Sequence, residues 1–351
     1  MKKLMISTKN RVFFRADGDS TIGLGHLMRC VALSQILENE FDCFFVIFCP
    51  SEEISLILLQ YGEVVSLLES NKSEELIEFG KFLNKSDIVV FDGYLFNEEY
   101  ITTIQNEVKA IVQIDDFAKG YFHSDLVLNH ANKYLIDKYD VSPNTKVLCG
   151  PDYLILREEF LQKAATEHKE KLKVDTAFIC MGGADPTNIT LKVLESFIQT
   201  DFIKNIIVVT GAAYVWDDKL KTFIAQNSQV NITNYSNINA LDMIELISKA
   251  EICVCPSSSI ALEVCCVKSG LLTGITVDNQ KLIHEQLVEG NYAETIDDFN
   301  TVSVNGIVSK LKKMNDLTFI NNLIKNQSIF ADGKSGERIL DEFKKLGNAK
   351  I

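Results

Sequence analysis

Short apolar runs alternate with stretches where apolar residues recur every three or four positions, and this rhythm continues along most of the chain. Brief runs of β-branched, aromatic and aliphatic residues between turn-forming residues predict buried strands. In the first half such runs fall at residues 12–15, 43–48, 63–67, 87–91, 110–114 and 126–129. The helical period predicts helices over residues 27–37, 52–61, 73–84 and 97–108 between them. The pairs Ser86-Asp87 and Asp115-Asp116 punctuate these elements as turn and capping residues do. Strands that are apolar throughout, separated by amphipathic helices, predict parallel sheets covered on both faces.

The rhythm breaks around Gly150-Pro151-Asp152-Tyr153. Residues 157–173 are polar and charge-rich with no internal strand, which predicts a solvated connector helix. Alternation then restarts, with strands predicted at 177–180, 205–210, 230–234, 251–255 and 271–275 and helices beginning near Thr187, Asp217, Ala240 and Ile260. Two like-built halves predict an α/β protein with two Rossmann-like domains, residues 1–156 and 174–330, facing across a cleft. In such sheets ligands sit beyond the carboxyl ends of the strands. Residues 331–351 read as one amphipathic helix, which either stays with the second domain or crosses back to the first.

Composition narrows the function. With 351 residues, the chain exceeds the roughly 250–300 at which single cores stop growing. A formal net charge of -13 argues against broad binding to nucleic acid or anionic membrane, which needs clustered Lys and Arg. An anionic ligand would instead be held by local devices such as helix N-termini and backbone amides. The nine cysteines include no C-x-x-C pair and several lie in apolar runs, the pattern of buried, reduced thiols in a reducing compartment. The N-terminus lacks the continuous apolar core of a signal peptide, and no apolar run approaches the ~20 residues needed to span a membrane. A cytoplasmic location without membrane insertion is the expectation.

Four segments carry the candidate chemistry. The first is Arg15-Ala16-Asp17 at a strand end, followed by Gly23-Leu24-Gly25-His26 and the helix containing Arg29. Glycines there let backbone approach a ligand where a Cβ would collide. Met28 stands where the dinucleotide fingerprint needs its third glycine, so a dinucleotide is not implied. His26 in the first turn of a helix is placed for general-base work, because the dipole there favours the uncharged ring. Alternatively the glycines only shape a turn and His26 is a cap.

The second segment is Phe91-Asp92-Gly93-Tyr94, again at a strand end. Its carboxylate and phenol either orient a sugar or, for Asp92, cap the next turn. Asp115-Asp116 has the same ambiguity, and with His123 and His130 it is short of any recognised metal-ligand spacing. The third is Cys180-Met181-Gly182-Gly183-Ala184-Asp185, a strand running into glycines whose freed amides suit a diphosphate. The fourth is Ser257, Ser258 and Ser259 before a helix that carries Glu263, followed by Asp278-Asn279-Gln280. Serines at a helix N-terminus hold phosphate oxygens or simply cap the helix. No G-x-S-x-G elbow is present, so the serines do not read as a hydrolase triad.

Taken in order, these segments together with residues 150–160 resemble the UDP-2,4-diacetamido-2,4,6-trideoxy-β-L-altropyranose hydrolases of the pseudaminic acid pathway. That family shares the GT-B architecture with the glycosyltransferase that adds N-acetylglucosamine to lipid-linked peptidoglycan precursors. The resemblance runs from residue 11 to about residue 290 and implies a metal-independent, inverting hydrolysis without a cofactor. It implies His26 as the base that activates water, with Asp17, Gly25, Arg29, Tyr94, Asn279 and Gln280 on the substrate. It further implies Gly182, Gly183, Ser258 and Ser259 as diphosphate contacts and Glu263 as the ribose clamp. The implied partners are a UDP-sugar, water and other enzymes of the same pathway. Gly93, where some relatives carry a larger residue, and the longer region after residue 300 depart from the family pattern. Two other readings stay open: a GT-B glycosyltransferase using His26 to deprotonate an acceptor, and a non-catalytic sugar-nucleotide-binding protein.

Overall fold

Strands that are apolar on both faces need cover on both, and each half of the chain meets that need in the same way. The computed structural model describes residues 9–18, 24–68 and 71–348. The chain divides into two units, Met1–Glu158 with Ser335–Ile351, and Glu159–Lys334.

In the first unit the strands are β1 (Asn10–Ala16), β2 (Phe41–Phe48), β3 (Glu63–Leu67), β4 (Ile88–Asp92), β5 (Ala110–Ile114), β6 (Tyr121–Phe122), β7 (Leu126–Asn129), β8 (Asp140–Val141) and β9 (Lys146–Cys149). Seven of them form one parallel sheet in the order β3-β2-β1-β4-β5-β7-β9, while β6 and β8 pair separately. Its helices are α1 (Gly25–Leu37), α2 (Glu52–Leu58), α3 (Lys72–Gly80) and α4 (Glu98–Gln105). Alternation along β1 divides the core. Val12 and Phe14 pack with Val31 and Leu33 of α1, whereas Phe13 packs on the opposite face with Phe79 and Ile101. Each such buried side chain stabilises the fold by about 1.5–3 kcal/mol relative to exposure.

α5 (Glu158–Ala164) begins at the boundary between the units. The connector helix expected over residues 157–173 ends at Ala164, a correction with a visible cause. The Lys268 ammonium donates to the carbonyls of Ala164 at 2.6 Å and Thr166 at 2.7 Å, taking groups that a further turn would need. Lys171 is then tied to the carbonyl of Ala250 at 2.6 Å. Tertiary bonds here override the helix propensity of a Lys- and Glu-rich stretch.

The second unit repeats the scheme with β10 (Thr176–Ile179), β11 (Asn205–Thr210), β12 (Asn231–Ser236), β13 (Ile252–Pro256), β14 (Gly270–Ile275) and β15 (Glu294–Asp298). They form a parallel sheet in the order β12-β11-β10-β13-β14-β15. Its helices are α6 (Ile189–Ile198), α7 (Asp217–Gln226), α8 (Ala240–Lys249), α9 (Ser259–Val267), α10 (Lys281–Glu289), α11 (Val304–Lys313) and α12 (Leu317–Phe330). The region after residue 300 thus adds cover, α11 packing on α6 and α12 on α9. The last helix, α13 (Ser335–Asn348), belongs to the first unit, where Ile339 and Phe343 enter the core beside α1.

Both sheets reverse their strand order once, between β1 and β4 in the first and between β10 and β13 in the second. At such a switch point the loops leaving the two strands diverge and open a crevice at their carboxyl ends. All four candidate segments begin at one of these strand ends or close beside it.

Candidate active site

At the first switch point β1 feeds α1, and Asp92 is the last residue of β4, in register with Ala16. Of the glycine motif, Ile22 and Gly23 lie outside the described residues. Gly25 opens α1 with nothing within 4 Å of where a Cβ would stand, and Leu24 at the cap position offers no side-chain bond. His26 follows in the first turn. Its Nδ1 lies 2.7 Å from Oδ1 of Asp92, a carboxylate with no solvent exposure. Among the described residues no group engages its Nε2.

One turn further along α1, Arg29 sits between two carboxylates. It donates through Nε to Asp92 Oδ2 at 2.7 Å and through Nη2 to Asp92 Oδ1 at 2.6 Å. Its Nη1 donates to Asp116 Oδ1 at 2.5 Å. Asp116, just past β5, also accepts from the Tyr94 hydroxyl at 2.8 Å, and the Tyr94 ring stands edge-on to His26 with centroids 4.8 Å apart. The Arg29 fork is therefore spent on protein groups. It thus holds Asp92, the carboxylate that also bonds His26.

Burial works to push the Asp92 carboxyl up, but the Arg29 charge and the bonds from Arg29 and His26 win, holding it below the usual carboxylate range. Asp116 is held down in the same way against its burial. His130, buried next to this cluster, is pushed down to about 4 by burial and by the Arg29 charge, against the pull of Asp116 and Asp92. One guanidinium thus faces two ionised carboxylates. A carboxylate on Nδ1 fixes the imidazole tautomer and orientation and offsets the charge that forms when Nε2 accepts a proton.

Asp17 is used differently. It accepts from Arg15 Nη1 at 2.5 Å and from the backbone N–H of Phe48 at 3.0 Å. Arg15 is buried and also donates to Glu75 at 2.6 Å, and Glu75 accepts from Tyr100 at 2.7 Å. This network ties the end of β1 to α3 and α4. His123 pairs with Glu98 at 2.7 Å, away from His130, and among the described residues no cluster of His, Cys, Asp and Glu is arranged to hold a metal ion.

At the second switch point β10 leads into Gly182 and Gly183. Gly182 has a φ of +85°, which favours glycine, and a Cβ on either residue would meet open space. The helix expected from Thr187 begins at Ile189, because Asp185 takes the capping role and accepts from the N–H groups of Ile189 at 2.7 Å and Thr190 at 2.8 Å. On the neighbouring strand, β13 leads into Ser257, Ser258 and Ser259. Ser258 precedes α9 yet makes no capping bond, unlike Ser51, Asn97, Asn239 and Ser303 at other helices. Glu263 is buried within α9. Beyond β14, Asn279 is exposed, and Gln280 is buried with its amide oxygen accepting from the Thr276 N–H at 2.7 Å.

His26, Arg29 and Tyr94 are thus gathered at one switch point. Gly182, Gly183, Ser258 and Ser259 leave adjacent strands at the other. Sequence reasoning gave Asp92 two possible uses and missed its bond to His26, and it did not single out His284, whose contact with Ser257 is described below. Adjacency of β1 and β4 in a 3-2-1-4 sheet was the available signal for the first of these.

No protein-family model matches the chain. A Campylobacter jejuni UDP-2,4-diacetamido-2,4,6-trideoxy-beta-L-altropyranose hydrolase is 29% identical over 287 residues, 80% of this chain and 97% of that protein. The Bacillus subtilis spore coat polysaccharide biosynthesis protein SpsG is 25% identical, over 76% of this chain and 77% of its own length. An uncharacterized Methanocaldococcus jannaschii protein is 26% identical over 68% of the chain, which spans only 50% of that relative. Among solved structures, Acinetobacter baumannii MurG superimposes with a TM-score of 0.70 at 12% identity, over 96% of this chain and 99% of its own. A UDP-glucosyltransferase from Polygonum tinctorium gives a TM-score of 0.66 at 12% identity, over 98% and 100%. The chain has the GT-B fold. The resemblance to the hydrolase, carried in the sequence by an ordered set of short motifs, extends over most of the chain.

Proposed function

We propose that the chain hydrolyses a UDP-linked diacetamido-trideoxy sugar with inversion, releasing UDP and the free 2,4-diacetamido-2,4,6-trideoxy-L-altrose. The coarser part of this reading, an enzyme that acts on UDP-sugars, is supported by the hydrolase relative together with the GT-B fold. The observation that carries the finer part is the His26–Asp92 pair, a histidine held through Nδ1 with its Nε2 unengaged among the described residues.

In this reading Nε2 of His26 takes a proton from water as the water oxygen attacks the anomeric carbon. The bond from that carbon to the UDP oxygen breaks, and its electron pair leaves with UDP. Asp92 compensates the imidazolium, and Arg29 keeps Asp92 in place through a bidentate fork. The amides at Gly182 and Gly183 and the hydroxyls of Ser258 and Ser259 hold the diphosphate, with Glu263 on the ribose and Tyr94, Asn279 and Gln280 on the sugar. A good leaving group with its charge so stabilised needs no strong general acid, which is why one base suffices.

Incubation with UDP-diacetamido-trideoxyaltrose and no acceptor, followed by NMR, tests this. UDP release that persists in chelator and is lost in His26→Asn supports the reading. Turnover only when an acceptor alcohol is added would replace it with glycosyl transfer. Binding of UDP without any turnover would point to a sugar-nucleotide-binding protein.

A further inference from the structure

His284 has no role in the reaction just described, yet it sits between two hydroxyls in the second unit. It lies on α10, with Nδ1 2.9 Å from Ser257 Oγ and Nε2 3.0 Å from Thr295 Oγ1 on β15. Ser257 is fully buried. Its N–H donates to the Gly274 carbonyl at 2.8 Å, and its Oγ also lies 2.9 Å from Thr273 Oγ1.

The protons in this chain can be assigned. Thr273 donates its hydroxyl to the Cys255 carbonyl at 2.9 Å, so its oxygen accepts from Ser257. Having donated, Ser257 accepts from Nδ1–H of His284, while Nε2 faces the Thr295 hydroxyl, which also lies 3.2 Å from a carboxylate oxygen of Asp297. When Thr295 donates to Nε2 the ring is neutral. Burial holds His284 below the ordinary histidine range against the opposing charges of Asp297 and Glu285. The chain therefore runs from β15 through α10 to the turn after β13 and ends on β13 itself.

We propose that His284 is a positioning residue that fixes, through Ser257, the turn presenting Ser258 and Ser259. With Ser257 anchored inward on three partners, the next two residues are left to start α9, and the Ser258 hydroxyl is not consumed as a cap. This rests on the reading that the turn binds a diphosphate. Removing the anchor loosens the turn and weakens its hold on the diphosphate already in the substrate complex, so KM rises, with a smaller loss in kcat because the leaving-group charge is held less well.

The test uses the full chain, UDP as the calorimetric probe, and UDP-sugar turnover. His284→Ala is expected to weaken UDP binding at least about tenfold and to raise KM by a similar factor, with kcat within about threefold. His284→Gln, whose amide can still donate to Ser257, recovers most of the affinity. Thr295→Val, which frees the ring without touching the turn, gives a smaller loss in the same direction and carries the test if His284→Ala does not fold. Nitrogen-15 spectra of the unaltered protein should show His284 as the Nδ1–H tautomer. Unchanged UDP affinity in folded His284→Ala, or a fall in kcat at constant KM, overturns the proposal while leaving the diphosphate reading intact. Failure of the unaltered protein to bind UDP overturns both.

Discussion

Asp92→Asn is the substitution that most sharply separates orientation of His26 from mere stability. Oδ1 of Asp92 receives Nη2 of Arg29 at 2.6 Å and Nδ1 of His26 at 2.7 Å, while Oδ2 receives Nε of Arg29 at 2.7 Å. An amide NH2 must replace one of these oxygens. At the Oδ2 position it opposes a single Arg29 donor; at Oδ1 it opposes Arg29 and His26 together and drives the imidazole to the wrong tautomer. Either way at least one charge-assisted bond is lost, worth about 1.5–3 kcal/mol, and among the described residues Arg29 keeps Asp116 alone as an ionised partner. The stability loss should be about 2–4 kcal/mol, short of unfolding for a typical domain. In the proposed reaction catalysis should suffer more, because the imidazolium loses its carboxylate. General-base contributions of about 10²–10⁴-fold set the scale, and a fall in kcat of at least about 10² is expected. KM should barely move, since Asp92 is fully buried. Asp116→Asn is the control. It costs similar stability but leaves the acceptor of Nδ1 in place, so its kcat should fall by only about tenfold or less. Initial rates of UDP release and thermal unfolding, run on both variants, provide the readouts. A folded Asp92→Asn protein with kcat within about threefold of the unaltered protein, or the two variants losing kcat equally, would mean that Asp92 does not orient a catalytic His26.

The pH dependence of stability has a definite sign at His130. Its folded value of about 4 lies below its ordinary 6.5, so its contribution is complete above 6.5 and is lost as pH falls toward 4. The linkage amounts to about 2 kcal/mol between pH 7 and pH 5, and denaturant unfolding should show that loss shrinking in His130→Asn; parallel pH profiles would count against it. Asp92 and Asp116, both held down, contribute no loss in that interval, since their stabilisation fades only as pH drops below the ordinary carboxylate range. Gly183→Ala places a methyl in open space at an unstrained backbone position and should leave the melting temperature unchanged while weakening UDP binding. Gly182→Ala should lower both, with about 1–2 kcal/mol from its positive φ, and calorimetry on the pair distinguishes the two effects. Asp185→Ala removes two bonds to the start of α6 and should cost about 0.5–2 kcal/mol in thermal unfolding, with no such loss if Asp185 were merely a surface residue.

Much of the architecture was legible because parallel strands buried on both faces have no polar alternation to disguise them: 43–48 and 110–114 announce themselves. β15 did not, because Glu-Thr-Ile-Asp-Asp reads as loop, and its buried Glu294 is tolerated only through Lys310 and Lys313 on α11. β9 is four residues long and begins with an exposed lysine, too brief for a periodic signal. The candidate site divides along the same line. His26, Gly182 and the serines stand next to glycines or helix starts, where local chemistry flags them. The bond between His26 and Asp92 spans 66 residues and exists only because β1 and β4 are neighbours. Arg29 illustrates the limit from the other side. The resemblance implies Arg29 on the substrate, while the structure shows what no local pattern announced: its guanidinium pairs with two carboxylates from distant strand ends. Ser257 and His284 meet for the same topological reason, across β13, β14 and α10.

In the proposed reaction water, activated at His26, attacks the anomeric carbon of a UDP-sugar. Turnover in oxygen-18 water without an acceptor, with products resolved by mass spectrometry and early anomers by NMR, tests it directly. The label should appear in the free sugar, with the α-anomer first and turnover abolished in His26→Asn. Label in UDP, the opposite anomer first, or undiminished turnover in His26→Asn would contradict it.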